Sequence, residues 1–237
     1  MSKITLLHYT PIEPIAKATA MPYRSKPTKG LVSRVFDSGH RSVVRHGMAS
    51  FLIEGVSQSL LRQISRHPHI NLTVKSSRYC DMGDTDIYTP IENIKKLEKV
   101  VEKAILLNSG DDVHIDLARE YNNDMSDVLD IYKRWKRMEG EVKDIDVAKL
   151  FLPLGSTMDL VVSGNYQALY EFLQLRICSR AEEEIRQIAI QLTKILKDIL
   201  PEIFQSLDCR GAELGYCPEH KSCGRYPTKK ELITSGE

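Results

Sequence analysis

Between Arg62 and Tyr79 the chain carries three arginines, two histidines and a lysine within eighteen residues, and no acidic side chain. An apolar, helix-like run from Val56 to Ile64 leads into it. Unpaired charge cannot be buried cheaply, so the end of that element has to open to water or to an anion. Convergent arginines most often meet phosphate, while a solvated basic loop is the plainer alternative. The whole chain has 33 basic and 32 acidic residues, a formal net charge of +1. A protein that holds long nucleic acid shows a basic excess, so a small anion suits the local charge better than nucleic acid does.

The remaining pattern is that of one large domain or two small ones with alternating strand and helix signals. Residues 3–8 read as a strand. Pro11, Pro14, Pro22 and Pro27 predict loop with at most short helices up to about residue 30. Leu31 to Phe36 predicts a short helix, Met48 to Glu54 a strand and Ser57 to Ser65 a helix. Ile94, Leu97, Val101, Ala104 and Ile105 mark a helix over Ile91 to Leu107. Leu117, Tyr121, Met125, Val128, Tyr132 and Trp135 mark another from about Val113 to Met138, its aromatics read as core. Pro153 ends any helix that begins near Asp144. Met158 to Val162 predicts a strand, and Gly164-Asn165 the start of a helix carrying Leu169, Phe172 and Leu173. Ile185, Ile188, Ala189, Leu192, Ile195, Leu196 and Ile199 give the clearest stripe, with Ser179 and Glu182 at capping-box spacing before it and Pro201 after it. Residues 229–237 are polar and predicted to fray. No apolar run is long enough for a membrane span, and the first residues lack a signal-peptide core, which predicts a cytoplasmic protein.

Arg176 falls on the apolar face of its helix and needs a partner there. A structural pair with Glu171 or Glu183 and a bound ligand are both open. Of five cysteines, three crowd the end of the chain. Cys209, Cys217, His220 and Cys223 form a candidate zinc set, against incidental thiols in a reduced protein; an iron–sulfur site is disfavoured because four cysteines do not cluster in sequence. Cys80 reads as a packed thiol. His40 and His46 either flank a cofactor or cap local backbone.

Arg66-His67-Pro68, seven residues, Ser76, then Arg78-Tyr79 resembles the signature of flavin-dependent thymidylate synthases, with proline where that family has arginine. A second block, Phe172 to Arg176 followed by Ala181 and Glu184-Ile185-Arg186, is similar to another family segment. Gly39-His40 with Ser42 to His46 is similar to a third, with Arg45 in place of glutamate. The resemblance implies an α/β fold, mainly an antiparallel sheet flanked by long helices, over residues 1–207, with a Cys-rich tail over 208–237. It also implies a homotetramer that reductively methylates dUMP to dTMP using FAD, NADPH and methylenetetrahydrofolate, with dCMP or UMP as alternative substrates and a non-catalytic nucleotide binder as a further alternative. Gln63, Arg66, Ser76, Ser77, Arg78, Lys149 and Arg176 would contact the nucleotide, with Arg176 catalytic through charge on the pyrimidine ring. Ser42, Arg66, His67, His69, Asn165 and Glu171 would contact the flavin. Val74, Lys149 and Glu171 depart from the usual family residues, which implies a reshaped pocket.

Overall fold

Four strands, β1 (Lys3–Tyr9), β2 (Met48–Ser57), β3 (Ile70–Val74) and β4 (Thr157–Asn165), form one sheet in the order β1-β2-β4-β3. A computed structural model describes residues 2–140 and 146–234 of the chain. In β2, Ala49, Phe51 and Ile53 are buried; in β4, Met158, Leu160 and Val162 are. That period of two is what a sheet with one covered face requires. The mixed helical and antiparallel architecture matches the α/β expectation. The helices are α1 (Ile12–Ala20), α2 (Lys29–Asp37), α3 (Gln58–Ile64), α4 (Ile91–Ser109), α5 (Leu117–Glu139), α6 (Tyr166–Arg176), α7 (Glu183–Ile199), α8 (Pro201–Phe204), α9 (Arg210–Leu214) and α10 (Lys229–Thr234).

The chain divides into two compact units. One comprises Glu54–Arg62 and Val74–Leu160, the other Ser2–Ile53, Gln63–Thr73 and the chain from Val161 onward. In the first, Met82, Tyr132, Ala148 and Met158 are buried together, with Trp135 and Phe151 stacked beside them at 5.2 Å between ring centroids. Glu139 is buried at the end of α5, where it accepts the Val147 and Ala148 amides and pairs with Lys136. The Ala148 amide contact leads the causes that hold its carboxyl below the usual range. The α4 stripe is partly covered: Ile94 is buried and Val101 and Ile105 are half-buried, but Leu97 is 54% exposed.

In the second unit α6 packs on α7 and α1 on α2. Ile185, Ile188, Ala189, Leu192 and Leu196 of α7 are buried, and full burial of a branched apolar side chain is worth about 1.5–3 kcal/mol. Gly47 has no room for a side chain: a Cβ there would sit 2.2 Å from the Tyr166 ring and 2.7 Å from Ile15. This close approach lets the Tyr166 amide donate to the Gly47 carbonyl and fixes the start of α6.

The proline-rich region holds a short helix, as allowed, and later elements differ from expectation. α1 forms despite Pro14, which occupies the third helical position, where an amide has no intrahelical partner to lose. The basic stretch is not all loop: Ile70, Leu72 and Val74 alternate inward along β3. Ser179 does not cap α7, whose N-cap is Glu182. α10 gives order up to Thr234 in the tail predicted to fray. Residues 144–145 of the Asp144–Leu154 segment and residues 235–237 lie outside the described residues.

Candidate functional site

Within the second unit the two sequence blocks meet at His67 and Arg176. α3 ends at Ile64, and the His67 amide donates back to the Ile64 carbonyl at 3.0 Å. His69 then takes a positive φ of 62°, uncommon for a residue with a side chain, and turns the chain into β3. The turn leaves the His67 ring edge-on to Phe172, 4.8 Å between centroids. Arg176, on the last turn of α6, donates from Nε to His67 Nε2 at 2.9 Å. His67 is therefore neutral with its proton on Nδ1. Burial first, and then the Arg176 charge, hold its pKa below the ordinary value. Burial likewise lowers Arg176, opposed by the Glu182 charge. Gln63 donates to that same Glu182 carboxylate. Neither structural partner expected for Arg176 takes its Nε; a neutral imidazole does.

The other flavin candidates lie in this unit. Ser42, on the 3₁₀ turn Arg41–His46, and Arg66 are exposed, without an internal side-chain partner among the described residues. Asn165 is the N-cap of α6, its side-chain oxygen accepting the Ala168 amide at 2.9 Å. Gln167 joins two unusual residues. Arg45 Nε donates to Gln167 Oε1 at 2.6 Å, and Gln167 Nε2 donates to Glu171 Oε1 at 2.7 Å. The cation at 45 and the anion at 171 thus occupy two ends of one relay. Gln167 was not singled out from sequence, and Phe172 and Glu182 were read there only as an apolar-face residue and a capping residue. Gln167 sits one helical turn before Glu171, a spacing that could have revealed it.

The first unit holds the remaining nucleotide candidates. The Cys80 amide donates to the Ser76 carbonyl at 2.9 Å, closing a turn over Ser76, Ser77 and Arg78. The Arg78 amide donates to Ser76 Oγ at 3.3 Å, and its guanidinium lies 5.8 Å from the centre of the Tyr79 ring. Tyr79 is 82% exposed. Val74 packs against the Met82–Tyr132 cluster. Lys149 is engaged by Asp146.

The zinc expectation is corrected. Among the described residues no three His, Cys, Asp or Glu side chains are placed to hold a metal ion. Cys209, Cys217 and Cys223 line one cavity, but His220 is not in its wall, and Cys178 is. All five cysteines are unpaired thiols. A hydrogen bond with Ser179 leads the causes that lower the Cys223 thiol.

Residues 5–202 match the family model described as thymidylate synthase complementing protein. The flavin-dependent thymidylate synthase of Nitratidesulfovibrio vulgaris is 30% identical over 208 residues, covering 85% of this chain and 78% of that protein. That of Pyrococcus abyssi is 27% identical over 242 residues, covering 93% and 91%. Among solved structures, thymidylate synthase X of Helicobacter pylori with FAD and dUMP is similar, with a TM-score of 0.64 and 24% identity over 86% of this chain and 98% of that one.

Proposed function

The chain belongs to the flavin-dependent thymidylate synthase family, and from that premise we propose that it reductively methylates dUMP to dTMP, with FAD as cofactor and NADPH and methylenetetrahydrofolate as co-substrates. The observation that carries this reading is the Arg176–His67 contact, which joins both family blocks across 109 residues of sequence. The residues present fit a flavin nucleotide: Ser42 and Arg66 are exposed polar donors, and arginine suits a phosphate. Ser42, Arg66, His67, His69, Asn165 and Glu171 would hold it; when bound it supplies hydride.

The chain's own residues supply binding and electrostatics. Arg176 stabilises negative charge on the pyrimidine ring, which raises electron density at C5. Its Nε–H is used on His67, so the terminal amino groups serve the ring. His67 stays neutral and keeps Arg176 in place without competing for its charge. Gln63 and Arg66 contribute polar contacts to the nucleotide. Ser76, Ser77 and Arg78 bind its phosphate, where a cationic side chain next to hydroxyls and turn amides forms charge-assisted hydrogen bonds. Lys149 supplies charge without the bidentate fork of arginine.

The functional form is a homotetramer in the cytoplasm. The exposed apolar residues of α4 support an assembled state, and among the described residues no helix is long and apolar enough to cross a membrane. The test is anaerobic incubation of the FAD-loaded protein with NADPH, methylenetetrahydrofolate and dUMP, dCMP or UMP in parallel, followed by mass analysis. Methylation of dUMP alone is expected. No product from any nucleotide, by protein that binds FAD, would refute the enzymatic reading.

A further inference from the structure

Cys178, two residues beyond α6, shares a cavity wall with Cys209, Cys217 and Cys223 of the C-terminal segment. Four of the chain's five cysteines therefore face one space of about 160 Å³, and all are thiols. About 10–15 Å³ of such space holds one water, so a single ion would leave most of it unfilled. A mononuclear zinc site also needs its donors to converge on one point about 2.3 Å from each sulfur, and among the described residues no three donors do. Thiolates spread around a wider body are the arrangement a polynuclear cluster takes.

Two further observations point the same way. Arg186, Arg210 and Arg225 line the same cavity, which suits a centre made anionic by four thiolates. Arg225 is paired with Asp208, but Arg186 Nε is buried without a hydrogen-bond partner among the described residues. The second observation is that polar contacts, and little apolar burial, order the tail. Of residues 208–234, Gly211 alone is buried. Yet the segment has a fixed path: the Cys217 amide donates to the Pro227 carbonyl at 2.7 Å, and the Gly211 Cα lies close under the Tyr226 ring. Ion pairs of Arg41 with Glu213, Arg180 with Glu219 and Arg225 with Asp208 hold it too, and a cluster would add a covalent tie to a segment with so little apolar burial.

We propose that Cys178, Cys209, Cys217 and Cys223 ligate an iron–sulfur cluster that ties the C-terminal segment to the end of α6. Each thiol gives up its proton on ligation, and the bare N–H of Arg186 lies in the same wall to donate to a cluster sulfur. The site is separate from the Arg176–His67 contact and does not depend on the thymidylate-forming reaction.

The test is chemical analysis of the full chain purified anaerobically, and again after reconstitution with ferrous iron and sulfide. Iron and acid-labile sulfide in equal amounts, about two to four of each per chain, are expected, together with a paramagnetic signal after dithionite reduction that flavin does not give. Cys178→Ser should lose the iron and sulfide, whereas His220→Ala and Cys80→Ser should keep them. A stoichiometric zinc ion with no iron, no metal after reconstitution, or a cluster retained in Cys178→Ser would each overturn the assignment. If Cys178→Ser does not fold, the iron and sulfide content of the unaltered chain decides the matter.

Discussion

Replacing Arg176 by alanine should lower turnover about a hundredfold while leaving the flavin bound. Arg176 is half-buried on α6, and burial is the leading cause of its lowered pKa. A partly desolvated cation acts on a nearby charge through an effective dielectric nearer 20 than 80, worth about 4 kcal/mol at 4 Å. Only the part that grows as the pyrimidine ring gains negative charge accelerates the reaction. For one preorganised donor that part is about 2.7–4 kcal/mol, and its lower end is about a hundredfold. Arg78→Ala is the comparison. Its phosphate contact is the same before and during reaction, so the loss should appear mainly in KM. Steady-state rates at saturating and limiting nucleotide, with flavin content measured by absorbance, separate the two. An Arg176→Ala protein that folds, binds FAD and turns over at a near-normal rate would refute the reasoning and leave Arg176 as a support for His67.

Three further outcomes follow from the geometry. Gly47→Ala should destabilise the protein by about 1–3 kcal/mol, since the new methyl group must displace the Tyr166 ring or Ile15; an unchanged denaturant midpoint would contradict this. Arg45→Ala and Glu171→Ala should be non-additive by about 0.5 kcal/mol in a double-mutant cycle, because Gln167 links them; strict additivity would mean that the relay carries no coupling. His67 has a lowered pKa in the folded protein, so its contribution is fully present above the unfolded value of about 6.5 and is lost as pH falls through the folded value. Denaturant unfolding between about pH 7.5 and pH 5 should show this loss, and His67→Asn, which keeps an acceptor for Arg176, should show less of it.

Much of the fold was legible because it rests on periodicity. The α7 stripe and the alternation of β2 and β4 each read directly from spacing. α1 is one of the short helices that the proline-rich region allowed, and Pro14 lands where a missing amide costs nothing. β3 was hidden by its neighbours: Ile70-Asn71-Leu72-Thr73-Val74 alternates cleanly, but charges on both sides drew the stretch toward loop. The stripe of α4 was visible but is only partly covered, because periodicity reports an amphipathic face and not how much of it this chain covers. The site was legible as blocks and not as contacts. Nothing local in the sequence pairs Arg176 with His67, or brings Cys178 to residues thirty and more positions later; such contacts exist only once α3, α6 and the tail are packed.

The unusual residues at 45 and 171 bear on whether the reaction survives divergence. Taken singly, Arg45, where the resemblance implies glutamate, and Glu171, where it implies asparagine, each place a new charge among flavin-binding candidates. A lone charge there would change the field at the cofactor and the affinity for its phosphates. The structure shows them as opposite charges at the two ends of a hydrogen-bonded relay through Gln167, so their sum at a distance is close to zero. Relative to the usual family residues Arg45 shifts the charge by two positive units and Glu171 by one negative unit, so together they shift it by one, where Arg45 alone would shift it by two. Lys149 keeps a positive charge, and its ammonium group is engaged by Asp146. The Arg45–Gln167–Glu171 contacts therefore limit the change in field at the flavin candidates without removing it.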